Sequence, residues 1–403
     1  MTLETRIRDA FERRANDVRQ PGADGWPAIE RRIERSHRIR MIGSTAGAVL
    51  VIAAALVAIP RLGGRSLEPV TPPISAPTAI PQLVARIPVR AVALAAGEEA
   101  LWALTSGERV GDRGTLHRID PARNGVTASI RVGMNPIAVA VGGGSVWVLN
   151  GEGCGSTQPC EPGVSPASAE AAEERSVWRI DVESLEIVDR VQVGTRYDLA
   201  YGASHAWAVV PGAEGLVRIE GSPAPDNAYR PWGSVAGAGR VRLAVGESLA
   251  WAVSEVADSD DRRPLLSVID LSRRELVETI DIAGHGTAPD VAVGFGSAWV
   301  TTGTEASASG LMRIDPATRQ IAARISLPDA APVGLTSVTT GYGYVWATSG
   351  RGYLWKIDPT TNSAPIEPLL VGSPPPVPIN AVVAGFGSIW VAADDGEIWR
   401  FDP

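Results

Sequence analysis

A glycine followed five residues later by a tryptophan occurs seven times, as Gly97/Trp102, Gly142/Trp147, Gly202/Trp207, Gly246/Trp251, Gly294/Trp299, Gly341/Trp346 and Gly385/Trp390. Successive pairs lie 44 to 60 residues apart. A unit of that size cannot bury its apolar face alone, so neighbouring copies must stack and the chain must form a repeat array. Eight residues before each tryptophan stands a branched apolar residue (Leu94, Val139, Leu199, Leu243, Val291, Val338, Val382). Seven before it stands a small or slender one (Ala95, Ala140, Ala200, Ala244, Ala292, Thr339, Val383). Adjacent strand residues point to opposite faces, so each unit offers a strand with one bulky and one thin side, as sheets packed around an axis require. The glycine reads as the turn into the next strand, whose indole packs between neighbouring sheets.

A third strand is expected to end in a recurring Ile-Asp, at Ile119-Asp120, Ile180-Asp181, Ile269-Asp270, Ile314-Asp315 and Ile357-Asp358, with Ile219-Glu220 and Phe401-Asp402 as variants. Aspartate accepts nearby backbone N–H bonds, so these acids read as turn formers. One acid per turn lacks the further oxygen ligands that calcium needs, so no metal site is read from them. A fourth strand is visible at Thr127–Val132, Ile187–Val193, Leu276–Ile282 and Ile321–Leu327, but the seventh unit has none after Phe401. Leu83–Val89 (LVARIPV) matches Ile321–Leu327 (IAARISL) nearly position for position and supplies the missing piece from the front. Such a strand leaves no open edge. The expected fold is all-β: a seven-bladed β-propeller of four-stranded blades over residues 83–403, closed by its N-terminal strand.

Ahead of the repeats, Met41–Ile59 runs nineteen residues without a charge, close to the ~20 that a helix needs to cross a bilayer. Five arginines between Arg31 and Arg40 precede it, against Arg61 and Arg65 after it. The positive-inside bias therefore predicts a cytoplasmic N-terminus and an extracytoplasmic propeller. A cleaved signal peptide is the competing reading, but the preceding charged stretch is far longer than an ordinary n-region. The expected organisation is a cytosolic helical segment (1–40), a transmembrane helix (41–60), a Pro-rich linker (61–82) and the propeller, in the plasma membrane of a bacterium.

The net charge of −8, with Lys356 the only lysine, offers no positive footprint for a phosphate backbone and argues against nucleic acid as a partner. No nucleophile elbow, P-loop, dinucleotide fingerprint or zinc-protease helix appears, and no cofactor is implied. Cys154 and Cys160 are the only cysteines and sit in the longest insertion, Asn150–Ser176. On an oxidising side of the membrane, a local disulfide between them is the leading expectation.

Nine residues before each tryptophan the series is Ala93, Ala138, Asp198, Arg242, Asp290, Ser337, Ala381. Four polar members in succession predict one polar and one alanine-lined arc at the mouth of the axial channel, where binding sites gather. Arg242 could pair a ligand carboxylate while Asp198 and Asp290 accept hydrogen bonds. The favoured reading is that Arg242 simply neutralises the two aspartates between neighbouring blades. His285, between two glycines in the loop that leads to Asp290, is the best-placed of the four histidines and reads first as a solvated loop residue, with general-base work as the alternative.

The units GFGSAWV…LMRIDPATRQIAARISL and GYGYVWATSGRGYLWKIDPTTN resemble those of bacterial extracytoplasmic propellers of the virginiamycin B lyase-like and YVTN-repeat groups. The resembled lyase uses a histidine and acidic partners around magnesium at the channel, which here would fall to His285 with Asp290 or Asp198, without a matching His-x-Glu grouping. The front end is similar in layout to membrane-bound anti-sigma regulators, although no cysteine lies before residue 154. The expected function is a membrane-anchored binding or sensor module for an envelope protein, peptide or glycan, with a possible cytosolic regulatory partner. A lyase or hydrolase acting at the mouth is the alternative.

Overall fold

A computed structural model describes residues 79–403 except 109–111, 152–175, 194–197, 210–214, 220–231, 237–240, 255–263, 283–289, 303–309, 328–333 and 373–376. The expected cytosolic segment, membrane span and nearly all of the linker lie outside the described residues, as do His285, Cys154 and Cys160. Among the described residues no helix is long and apolar enough to cross a membrane.

Among the described residues, twenty-seven strands form seven antiparallel sheets. The first blade is β2 (Ala93–Gly97), β3 (Ala100–Thr105), β4 (Arg113–Asp120) and β5 (Gly125–Met134). The second is β6 (Pro136–Val141), β7 (Ser145–Asn150), β8 (Ser176–Asp181) and β9 (Ile187–Gln192). The third is β10 (Asp198–Gly202), β11 (His205–Val209) and β12 (Leu216–Ile219), the fourth β13 (Val241–Val245), β14 (Leu249–Ser254), β15 (Leu265–Asp270) and β16 (Glu275–Asp281). The fifth is β17 (Val291–Gly294), β18 (Ser297–Thr302), β19 (Gly310–Ile314) and β20 (Ile321–Ser326). The sixth is β21 (Leu335–Gly341), β22 (Tyr344–Ser349), β23 (Tyr353–Ile357) and β24 (Leu369–Leu370). The seventh joins β25 (Ile379–Gly385), β26 (Ser388–Ala393) and β27 (Ile398–Asp402) to β1 (Gln82–Ile87), its outermost strand. Two blades depart from four regular strands. In the third, the outer place is taken by a short segment whose Trp232 N–H donates to Leu216 O at 2.8 Å while Leu216 N–H donates to Gly233 O at 3.0 Å. In the sixth, the outer strand is two residues long.

Register explains the sequence pattern. Each tryptophan pairs directly with the small residue seven before it, as in Ala95↔Trp102 and Ala292↔Trp299, so the two share a face and the small residue leaves room for the indole. The opposite face carries the branched residues. Seven apolar clusters result, one for each junction between blades. Trp102 packs on Val139, Val146 and Val148 of the second blade, and Trp390 packs on Leu94, Leu101 and Ala103 of the first, which closes the ring.

The glycine of the repeat does something other than turn the chain. In five of the seven units it is the last residue of the inner strand, and in six the two residues after it make the turn with positive φ, as in Phe295 (51°) and Gly296 (66°) or Tyr342 (52°) and Gly343 (81°), the form that matches strand twist in tight hairpins. A β-carbon at Gly97, Gly294, Gly341 or Gly385 would stand 2.3–2.8 Å from Val141, Thr340, Ala384 or Ala96 of the next blade, so glycine is needed for close approach. In six of the seven units the indole Nε1–H donates to this glycine's carbonyl at 2.9–3.4 Å. That bond fixes the five-residue spacing.

The pairing Gln82↔Asp402 starts β1 at the end of the ring that carries the Ile-Asp turns. Inner strands begin at the other end, so the incoming chain reaches the body opposite the mouth formed by Ala93, Asp198 and their counterparts.

Candidate functional site

The Ile-Asp acids behave as turn formers. Asp120 Oδ1 accepts from the N–H of Ala122 at 2.7 Å and of Arg123 at 3.3 Å, Asp315 Oδ1 from Ala317 and Thr318 at 2.8 Å each, and Asp270 Oδ1 from the Ser272 hydroxyl at 2.7 Å. These bonds hold the carboxyls of Asp120, Asp270 and Asp315 below the usual carboxylate range.

At the other end of the ring, Asp198, Arg242, Asp290 and Ser337 all line one cavity of ≈ 240 Å³ on the axis, facing Ala93, Ala138 and Ala381. Thr336 and Asn380 extend the polar side. The two aspartates also hold the ring together. Asp198 Oδ1 accepts from Leu199 N–H at 2.9 Å, and its Oδ2 reaches across to Leu243 N–H of the fourth blade at 2.9 Å. Asp290 repeats the pattern two blades on, with Oδ1 bound by Val291 N–H and Oδ2 by Val338 N–H and the Ser337 hydroxyl of the sixth blade, each at 2.9 Å. Asn380 Nδ2 likewise donates to Ala91 O, from the seventh blade to the first, at 3.2 Å.

Arg242 stands between the two acids without tying them together. One guanidinium nitrogen lies 3.9 Å from Asp198 Oδ1, and the Arg242 side chain is 38% exposed. A contact that long and that wet contributes little stability. Burial pushes the Asp198 carboxyl up to about 6, against the opposing pull of Arg242 and of the Leu199 and Leu243 N–H groups, with Asp290 adding to the rise. With three hydrogen bonds already on its carboxylate, Asp290 is a positioning group more than a base. Among the described residues no group of three or more acids, histidines or cysteines is arranged to hold a metal ion.

His117 bonds within its own blade, Nδ1 to Ser129 Oγ at 2.9 Å, and His205 Nδ1 lies 2.8 Å from Ala203 O. Neither reaches the mouth. The long insertion leaves and returns beside it: Asn150 Nδ2 donates to Ser176 O at 3.3 Å, and Gly151 N–H to Asn135 O at 3.0 Å.

A second set of residues was not singled out from the sequence, although its signal is plain: a basic residue immediately before most of the Ile-Asp pairs. It sits opposite the tryptophan on the neighbouring strand (Trp299↔Arg313, Trp390↔Arg400), and its charge lies over the indole at 5.4 Å for Arg313 and 4.7 Å for Arg400. Its outer nitrogens then latch the turn of the next blade: Arg313 Nη1 donates to Pro359 O at 2.8 Å, and Arg400 Nη1 to Asn124 Oδ1 at 2.7 Å and to Pro121 O. In the sixth blade the residue is Lys356. The seventh blade has no turn to receive it, because its outer strand is β1. Lys356 Nζ instead donates to Ala79 O of the incoming chain at 3.1 Å and lies 4.2 Å from the Tyr344 ring. Burial lowers its ammonium below the ordinary lysine range.

No protein-family model matches the chain, and no curated protein matches it in sequence. Among solved structures it is similar to Kuenenia stuttgartiensis hydrazine synthase, with a TM-score of 0.57 and 13% identity over 78% of this chain and 96% of that one. It is also similar to the β-propeller domain of Myceliophteria thermophila Cps50 (Swd1), with a TM-score of 0.54 and 13% identity over 80% and 100% of the two chains. Likeness at that identity shows the fold alone: a seven-bladed β-propeller, an architecture consistent with a binding or interaction module.

Proposed function

We propose that this chain is a membrane-anchored, extracytoplasmic binding or sensor module that engages an envelope protein, peptide or glycan at its axial mouth. Residues 1–40 would carry the bound state inward to a cytosolic regulatory partner. The observation that carries the reading is the gathering of Asp198, Arg242, Asp290 and Ser337 on one side of a single cavity, opposite an alanine-lined wall. The start of β1 supports it, because Gln82 joins the propeller at the Ile-Asp end, away from the mouth. Catalysis of the lyase-like kind at the same mouth would rest on His285 with Asp290 or Asp198, and the three hydrogen bonds on Asp290 favour binding instead.

The test is capture of an envelope partner by the full-length protein in its own membranes. Binding is expected to be lost in Ala93→Trp, which fills the mouth, and to be indifferent to EDTA and to His285→Ala. A turnover abolished by both EDTA and His285→Ala would contradict the reading.

A further inference from the structure

The mouth is small. Its ≈ 240 Å³ lies below the roughly 300–1,000 Å³ of cavities that enclose a whole drug-sized ligand, which suits a small group such as the end of a longer molecule. Arg242 carries five donors in a planar fork suited to a carboxylate. Its one ion pair among the described residues is the 3.9 Å approach to Asp198. On either side, Asp198 and Asp290 keep acceptor capacity, since a carboxylate has about four lone-pair sites and these two accept two and three bonds respectively. Acceptors flanking an unspent guanidinium match a terminal carboxylate followed by backbone N–H groups. Across the cavity, Ala93, Ala138 and Ala381 place no charged or hydrogen-bonding side chain opposite the guanidinium.

We propose that the mouth binds the free C-terminal carboxylate of a peptide, gripped by the Arg242 fork with Asp198 and Asp290 accepting its last amide N–H groups. This deepens, and rests on, the reading of the mouth as a binding site. A sugar acid would offer the same carboxylate, so the test sets one against the peptide. A neutral sugar has no use for the guanidinium.

Calorimetry on the full-length protein in detergent tests this with N-acetyl-Ala-Ala as the free acid, the same peptide as its C-terminal amide, and digalacturonate. The acid is expected to bind about tenfold or more tighter than the amide. Arg242→Gln should bring the acid down to the amide's affinity, and Arg242→Lys, which keeps the charge and loses the fork, should fall between. The acid-to-amide comparison on the unmodified protein stands whatever the variants do to folding. Equal affinity for acid and amide overturns the proposal and leaves the mouth as a binding site. Preference for digalacturonate does the same. Failure of both peptides to bind also overturns it, and loss of envelope capture in Ala93→Trp then shows separately whether the mouth binds something else.

Discussion

At the scale of single residues, the repeat glycine is a contact between blades. Gly385→Ala sets a methyl group 2.5 Å from Ala96 Cβ and should destabilise the protein by about 1–3 kcal/mol. Gly246→Ala, whose nearest neighbour would be Leu249 O at 3.5 Å, should leave the denaturation midpoint within about 0.5 kcal/mol of the parent. Equal losses in the two variants would remove this account of the motif. Asp198 makes stability depend on pH in the direction opposite to most carboxylates. Its folded value of about 6 lies above the ordinary 3.8, so between the two the folded protein keeps a proton that the unfolded chain has released. Its contribution therefore falls as pH rises through that window and stays low above it. Moving from pH 7.5 to 5 should raise the melting temperature by about 2 °C more in the parent than in Asp198→Asn; identical pH profiles would show that the carboxyl is not held high.

At the scale of the strand and the blade, the basic residue on the third strand is a clamp between neighbours. Arg400→Met keeps the apolar stem over Trp390 but removes the bonds to Pro121, Asn124 and Ser388, and should cost about 1–3 kcal/mol, read from chemical denaturation. Much at this scale was legible in the sequence, because strand order, the Ile-Asp turns and the borrowed strand Leu83–Val89 follow from local pattern and copy-to-copy matching. The clamps were less so. Arg313 reaches a turn 46 residues further on, and Asp290 reaches a backbone N–H 48 residues on, so their partners exist only once the ring is built. The glycine was misassigned for the same reason: within one hairpin it resembles a turn residue, and its steric neighbour belongs to the next blade. The third blade's outer strand is irregular because no period-two apolar run follows Ile219, and Trp232 covers the gap by packing edge-on to Trp207 at 4.9 Å.

At the scale of the whole molecule, the ring exists because its first strand completes its last sheet. Ile87 is buried at that seam, in one cluster with Trp390 and Leu101, and Lys356 ties the chain just before it through Ala79. A charge at this position has no partner, so Ile87→Asp should cost several kcal/mol and broaden the unfolding transition as the seventh blade opens separately. A sharp, unshifted transition would argue against closure. The convergence of the polar arc was legible in outline, because register relative to the tryptophan places one residue of each blade at one height. Which of the four keeps its polar groups unspent was not, since only the fold reveals that Asp198 and Asp290 hold the neighbouring blades while Arg242 has, among the described residues, a single long ion pair. Mouth, clamps and seam all depend on the pairing Gln82↔Asp402. Gln82→Cys with Asp402→Cys, in a chain carrying Cys154→Ser and Cys160→Ser, tests it directly. The account predicts an intramolecular disulfide on mild oxidation and a higher melting temperature, whereas two free thiols or a disulfide-linked dimer would contradict a ring closed by its own first strand.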